Sequence, residues 1–557
     1  MAAPTPPIRE LVDPTTPLAV RETTVGDERL TLVFSDEFNI DIPPGGYPDK
    51  VYYDSEEREP NIKWTASNTL SFDAFGDSYM SPDYLVVQDG VLNITAAQAK
   101  FEAADYLGAQ LTTWNRVCFQ GGFLEARFKP AGIWNQEGLW PAIWSMGNLL
   151  RDNYMIRNRH IWPYSYSDCQ CPGSFWHGIG RGQEVSACSA RGDYGTNRFQ
   201  GRGAVEFDLL ETSKCSHFET SLSQSVGIYS DGTCLLQTYQ IGPALSYDYT
   251  PPFFYEPGNT ILGYREWYGV PWYNSSKVIF QSPTIMNTAF YGFGWYDSVS
   301  ATTILNEHTF DEWQTVAMHF VIDPHCEVFQ YGITQMPMNA SMAAKCREGS
   351  RIDYYHNGRR SVRYNGIGLA ATGSTPDRQV PQEPIYILLE HKISPSFGFG
   401  LPVPEELPAI MQIDYVRLYQ VVDDTHPMRL SCNPPDHPTR EFIRGHRLEY
   451  GVQVEESGKV SIEGAQYVLG GVAIFVCVCG TIMALTGSMG QRKQPKPPAA
   501  AAQQQKTSKA GAPSPPPSPP SSSDLDESSS KGPVKRLSFD TTPPGRRPSQ
   551  SRRPSTS

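Results

Sequence analysis

From Arg29 to Val422 the chain is broken too often by Gly, Pro, Asn and Asp for long helices to grow, and what lies between the breaks has strand character. Leu30–Phe34 (LTLVF), Gly90–Thr95 (GVLNIT), Phe123–Phe128 (FLEARF), Thr315–Ile322 (TVAMHFVI) and Ile413–Gln420 (IDYVRLYQ) are runs of this kind. In FLEARF and DYVRLY polar and apolar residues alternate, which predicts strands with one wet face. Long helical periods are scarce. The body spans about 390 residues, large for one all-β unit, so the expected architecture is a β-sandwich or jelly roll carrying long loops. Residues 1–28 are Pro- and Thr-rich without an apolar period and read as a flexible lead-in.

Behind the body, residues 423–466 read as a polar juxtamembrane stretch. Tyr467–Gly487 (YVLGGVAIFVCVCGTIMALTG) then supplies the uncharged length that a spanning helix requires, about 20 residues. Arg492, Lys493 and Lys496 follow it, and positive residues beside a span mark its cytoplasmic side. Residues 488–557 are an Ala/Gln and Pro/Ser low-complexity tail, too poor in apolar surface to fold. Its Lys535–Ser538, Arg546–Ser549 and Arg552–Ser555 segments have the form of basophilic kinase targets.

Charge divides the same way. From Gln491 onward there are 12 Lys and Arg against 4 Asp and Glu, a net of +8; the chain total of −13 therefore leaves −21 for the rest. An acidic body with a basic tail argues against nucleic acid as partner and fits an extracytoplasmic body on a cytoplasmic tail. The expected location is a single-pass membrane protein of the secretory pathway or plasma membrane, with its body lumenal or extracellular.

Nine of the 11 cysteines precede the apolar segment, at 118, 169, 171, 188, 215, 234, 326, 346 and 432. None has the paired CxxC spacing of a zinc site, so disulfides in an oxidising compartment are the simpler expectation, with at least one thiol left over and the connectivity open. Sequons at Asn93, Asn274 and Asn339 agree with an outside body. The N-terminus carries no apolar core of a signal peptide, from which an upstream segment missing from the sequence is expected.

The chemistry concentrates in Gly201–Ser213, GRGAVEFDLLETS. On a regular strand Glu206 and Asp208 share a face, and Glu211, five residues from Glu206, falls on the other. One extra residue, a β-bulge, brings it back. Three carboxyls then point into one cleft while Phe207 and one or both leucines pack behind. Two such carboxyls suit a retaining glycosidase, with Glu206 as nucleophile and Glu211 as general acid and then base. Crowding keeps one acid protonated, and Asp208 is placed to hydrogen-bond the nucleophile and tune the difference. An acidic strand edge or a Ca²⁺ site is the bland reading of the same acids. The 11 Trp and 29 Tyr either pack the core or, in part, line a sugar cleft, since flat rings stack on pyranose faces.

EFDLLE resembles the E-[aliphatic]-D-x-x-E signature of glycoside hydrolase family 16, the β-jelly-roll β-glucanases and transglycosidases. Phe34–Asn39 (FSDEFN), Cys118–Phe128, Gly138–Asn148 and Met411–Gln420 resemble further blocks of that family. Trp162–Cys169, Ser186–Cys188, Pro381–Leu389 and Ser431–Thr439 resemble blocks of its fungal-type SKN/KRE group of glucan-synthesis-associated membrane proteins. The resemblance covers roughly residues 30–445. It implies a jelly roll and a part in assembling cell-wall β-1,6- or β-1,3-glucan. It carries nucleophile, assisting acid and acid/base onto Glu206, Asp208 and Glu211, and sugar stacking onto Trp140 and Trp144, with Trp114 and Trp162 as further candidates. It calls for no cofactor and allows a structural Ca²⁺, for which no ligand set shows. One departure is topological: the span of the fungal members precedes the catalytic domain, whereas here it follows, which points to a source outside the fungi.

Two functions compete on these residues. One is an enzyme that hydrolyses or cuts and rejoins β-glucan. The other is a non-catalytic glucan-binding scaffold supporting a glucan synthase complex at the membrane, against which the intact acid trio argues.

Overall fold

The computed structural model describes residues 11–71, 78–154, 161–162, 202–214, 232–241, 270–271, 277–286, 295–305, 307–329, 340–370, 380–395, 397–398, 400–423 and 428–453. The longer strands, in chain order, are β1 (Glu28–Asp36), β2 (Val91–Phe101), β3 (Ala104–Thr112), β4 (Gly122–Lys129), β5 (Leu139–Gly147), β6 (Glu206–Lys214) and β7 (Thr233–Ile241). They continue with β8 (Lys277–Met286), β9 (Trp295–Ile304), β10 (Gln314–Val321), β11 (Arg351–His356), β12 (Arg359–Asn365), β13 (Ile385–Ile393) and β14 (Ala409–Gln420). Among the described residues helices are few and short, so the expected all-β class holds.

All five runs of strand character are strands, and all five lie in one sheet. That sheet runs Glu22–Val25, β1, β14, β4, β10, β11, β12, antiparallel throughout, and the first half of β14 also pairs with β2. The second sheet runs β3, β13, β5, β6, β7, β9, β8. Its central strands β13 and β6 show no wet face: every residue of β13 is buried, and so are the seven central residues of β6. A strand covered on both sides has no reason to alternate.

The principal core lies where the sheets face each other. Leu124, Ala126, Phe128, Val316, Met318, Val416 and Leu418 come from the first sheet, and Ile143, Phe207, Leu209, Leu210, Ile385, Ile387 and Leu389 from the second. The opposite face of the second sheet carries a separate cluster that includes Trp114, Ala142, Trp144, Met146, Tyr386 and Leu388. The parity of β5 and β13 thus sorts residues cleanly: odd positions into the core, even positions onto the far face.

Two boundaries differ from expectation. Residues 11–28 are built in: Leu11 joins the core, Glu22–Val25 pairs with β1, and Asp13 accepts from the Glu37 amide at 3.0 Å. An edge strand needs no apolar period, only a partner for its backbone. Likewise residues 428–453 are not a free juxtamembrane stretch. Phe442, Ile443, Tyr450 and Val452 are buried on the far face of the second sheet, and Cys432 is disulfide-bonded to Cys118. Four apolar anchors and one crosslink suffice to seat a segment that looks polar in bulk. Cys326 pairs with Cys346, and Cys234 is also disulfide-bonded.

Among the described residues no helix is long and apolar enough to cross a membrane. The apolar segment 467–487, the tail 488–557, the first ten residues, the sequons at Asn274 and Asn339, and Cys169, Cys171, Cys188 and Cys215 lie outside the described residues. Asn93 sits within β2, half-buried, and its side-chain oxygen accepts from Gln412 Nε2 at 2.9 Å.

Candidate active site

β6 carries the bulge that the acid spacing requires. Opposite it, Ile143 pairs with Leu210 and Trp144 with Asp208, so Leu209 is the extra residue. The same break appears against β7, between Asp208 and Glu211. Leu209 and Leu210 therefore both enter the core beside Phe207. Glu206, Asp208 and Glu211 are left together on the far face.

The three acids are held by neutral donors. Trp162 Nε1 donates to Glu206 Oε2, and Gln240 Nε2 to Glu206 Oε1 at 2.8 Å. Gln240 also reaches Asp208 Oδ2 at 3.0 Å. Trp140 Nε1 donates to Glu211 Oε1 at 3.0 Å. Asp208 and Glu211 are buried, and Glu206, Trp140 and Trp162 are half-buried.

Burial raises all three carboxyls above the usual range, and each is raised further by a neighbour's charge: Glu206 by Glu211, Asp208 by Glu206, and Glu211 by Asp208. Glu206 is pushed up to about 8. The interaction between Asp208 and Glu206 raises the former and lowers the latter. The trio titrates as a unit and does not hold three charges at neutral pH.

A second polar group stands across Ala142. The pairing row runs Glu211, Ala142, Glu390, Gln110. Gln110 Nε2 donates to Glu390 Oε2 at 2.8 Å and to Asp152 Oδ2 at 2.6 Å. Lys392 Nζ lies 2.7 Å from Glu390 Oε1 and 4.1 Å from the Trp140 ring centroid. Burial, and then the Glu390 charge, push Asp152 up to about 7. The sequence reading missed this group. Its signal was there: Glu390 and Lys392 stand at period two in an otherwise apolar run, YILLEHKI.

The aromatic candidates divide. Trp140 and Trp162 act as donors to the two outer acids, and Phe397 stacks on Trp140 at 4.1 Å, so Phe397 and Lys392 crowd the ring faces that a sugar would need. Trp144 is buried beside Asp208 with its Nε1 unpartnered among the described residues. Trp114 is a correction. It is wholly buried, stacks on Tyr450 at 5.5 Å and donates to the Asn148 carbonyl, so no sugar reaches it. The segment 428–453, expected as part of a polar juxtamembrane stretch, is what covers it.

Just upstream, Arg202 fixes the entry to β6. Its guanidinium makes a two-point bond with Glu383 (2.6 and 2.8 Å) and donates to the Pro438 carbonyl at 2.8 Å. Among the described residues no cluster of three or more His, Cys, Asp or Glu is arranged to hold a metal ion.

The family model described as "Beta-glucan synthesis-associated protein SKN1/KRE6/Sbg1" matches residues 4–248 and 261–462. The chain belongs to this family. It is 29% identical over 450 residues to the β-glucan synthesis-associated protein KRE6 of Saccharomyces cerevisiae, covering 78% of this chain and 52% of that one. To the SKN1 protein of Candida albicans it is 27% identical over 451 residues, covering 79% and 52%. The chain thus spans about half the length of the curated relatives it matches. Among solved structures it is similar to an endo-β-1,3-glucanase from Pyrococcus furiosus (14% identity, 72% of this chain, 99% of that one, TM-score 0.37). It is likewise similar to SCLam, a non-specific endo-β-1,3(4)-glucanase from family GH16 (15% identity, 72% and 94%, TM-score 0.35).

Proposed function

We propose that this chain is a β-glucan-active glycosidase or transglycosidase that serves cell-wall β-1,6- or β-1,3-glucan assembly by a retaining double displacement. The observation that carries the reading is the bulge at Leu209: it costs the ladder one residue and returns a third carboxyl to the face that already holds two. A strand built only for stability has no use for three crowded acids that no ion pair ties down. Family membership supports β-glucan as the substrate class.

In this mechanism Glu206 attacks the anomeric carbon and forms a glycosyl ester while Glu211 protonates the departing oxygen. Glu211 then takes the proton of an incoming hydroxyl, which displaces Glu206. Water as acceptor gives hydrolysis and a sugar hydroxyl gives transfer. Asp208 donates to Glu206, steadies its charge as the ester breaks, and keeps its own proton throughout. Trp162 and Trp140 orient the two reacting carboxyls through their N–H groups. No cofactor enters these steps. The body works on the lumenal or extracellular side of a membrane, with the segment 467–487 as its anchor.

The test is product analysis of the purified chain on defined β-1,3- and β-1,6-gluco-oligosaccharides beside Glu206→Gln and Glu211→Gln. Turnover falls at least about a thousandfold in each variant, since each removes a group that acts only in the transition state. Equal product from all three proteins sinks the proposal and leaves the scaffold reading.

A further inference from the structure

A cavity of about 380 Å³ is lined by Tyr47, Asp49, Asn68, Tyr79, Asp83 and Phe101 among others. Nothing in the mechanism above uses it. We propose that this cavity is a distal subsite for a glucosyl ring of a long β-glucan whose reacting bond lies at Glu206 and Glu211. The inference deepens the proposed function and rests on it for the identity of the polysaccharide.

Four observations carry it. The first is chemical. The lining combines aromatic rings with carboxylates, an amide and the Ser81 hydroxyl, and among the described residues it contains no Lys, Arg or His. That excludes phosphate and other anions and suits a neutral polyol, whose hydroxyls donate to carboxylates while its C–H face lies on a ring.

The second is Phe101. It ends β2 at the turn into β3 and is 47% exposed, yet it lies against Tyr79 with ring centroids 4.6 Å apart. A large apolar ring kept at a cavity mouth is an unused stacking platform.

The third is pre-organisation. Tyr79 Oη donates to Asn68 Oδ1 at 3.1 Å, and Asn68 Nδ2 donates to Asp49 Oδ2 at 3.0 Å, so the amide and the carboxylate are set before any ligand arrives. Gly45, at φ +70°, keeps the rim open. A β-carbon there would stand 2.8 Å from Asp83 Oδ1 and close over that carboxylate.

The fourth is continuity with the acids. Asn68 follows Ser67, whose hydroxyl donates to Gln110 Oε1 at 2.6 Å, and Gln110 ends the row that starts at Glu211. Three strand spacings separate Gln110 from Glu211, about 14 Å. The cavity is therefore more than one sugar removed from the reacting bond and within reach of the same polysaccharide chain.

The experiment measures binding of the purified full-length chain to a length series of β-1,3- and β-1,6-gluco-oligosaccharides by calorimetry, for wild type, Phe101→Ala, Asp83→Asn and Gly45→Ala. Wild-type affinity rises with oligosaccharide length. Each substitution lowers affinity for the long members roughly tenfold, one well-made contact at about 1.4 kcal/mol per decade. Circular dichroism melts check that these surface changes leave the body folded. Unchanged long-chain affinity in Phe101→Ala and Asp83→Asn overturns the subsite. So does calorimetry with CaCl₂ alone giving a site that Asp83→Asn abolishes, which makes the cavity a cation site. If wild type turns oligosaccharides over but its affinity is flat with length, the subsite fails and the proposed function stands. If length-dependent binding is lost in the variants while wild type and Glu206→Gln give equal product, the subsite stands and the catalytic reading fails.

Discussion

Two kinds of carboxylate are buried in the same body, and the fold treats them in opposite ways. Glu37 and Glu383 each meet a guanidinium in a two-point bond: Arg417 at 2.9 and 2.7 Å, Arg202 at 2.6 and 2.8 Å. Glu206, Asp208 and Glu211 meet neutral donors and each other, and among the described residues none of them has an ion-pair partner within 4.0 Å. A buried charge with its counter-ion is a structural tie. Three crowded acids without one are destabilising, and chains keep such groups where chemistry needs them. On the proposed mechanism, the contrast separates the residues that hold the site from those that act in it.

The sharpest way to break this comparison is to turn a tie into an orphan. Arg202→Met leaves Glu383 buried without its partner and is expected to cost about 3–5 kcal/mol in chemical denaturation. The double variant Arg202→Met, Glu383→Leu is expected to recover much of that loss, because no charge is then stranded. A single variant within 1 kcal/mol of wild type would show that Arg202 is no tie at all.

Arg202 and Glu383 are 181 residues apart, which is why nothing in the sequence announced them. What alternation revealed was the sheet with a wetter face. FLEARF lies in β4 with Glu125 and Arg127 half-buried between core residues. EFDLLE and YILLEHKI lie in the sheet buried on both faces, where period two vanishes and acids look misplaced rather than patterned. The trio was legible because a five-residue spacing between acids demands a bulge, a local fact. Trp114 was misread because its cover, Tyr450, comes from a segment whose burial depends on tertiary contacts. Lys392 and Phe397 around Trp140 were invisible for the same reason.

The acids themselves should show the reverse of a tie. Folding raises the Glu206 carboxyl from 4.5 to about 8, first by burial and then by the Glu211 charge, so the native state favours its protonated form. That contribution is complete below about 4.5 and is lost as pH climbs through about 8. Wild-type unfolding free energy is therefore expected to fall across this window. Glu206→Gln, which cannot ionise, is expected to fall less and to exceed wild type at pH 8.5 by about 1–3 kcal/mol while losing turnover. Parallel pH profiles for the two proteins would place Glu206 with the ties.

The smallest effects come from the tryptophan donors, and they separate the two reacting acids. Trp140→Phe keeps a ring against Phe397 but removes the N–H from Glu211, at a cost of about 1 kcal/mol in stability. That N–H favours the charged form of Glu211, so without it Glu211 stays protonated to higher pH and the alkaline limb of kcat/KM moves up. Trp162→Phe removes the N–H that favours charged Glu206, so Glu206 ionises later and the acid limb moves up instead. A nucleophile must be charged and a general acid must not be, so two substitutions of one kind act on opposite limbs. If both move the same limb, the assignment of nucleophile to Glu206 and acid to Glu211 fails, even where both residues prove essential.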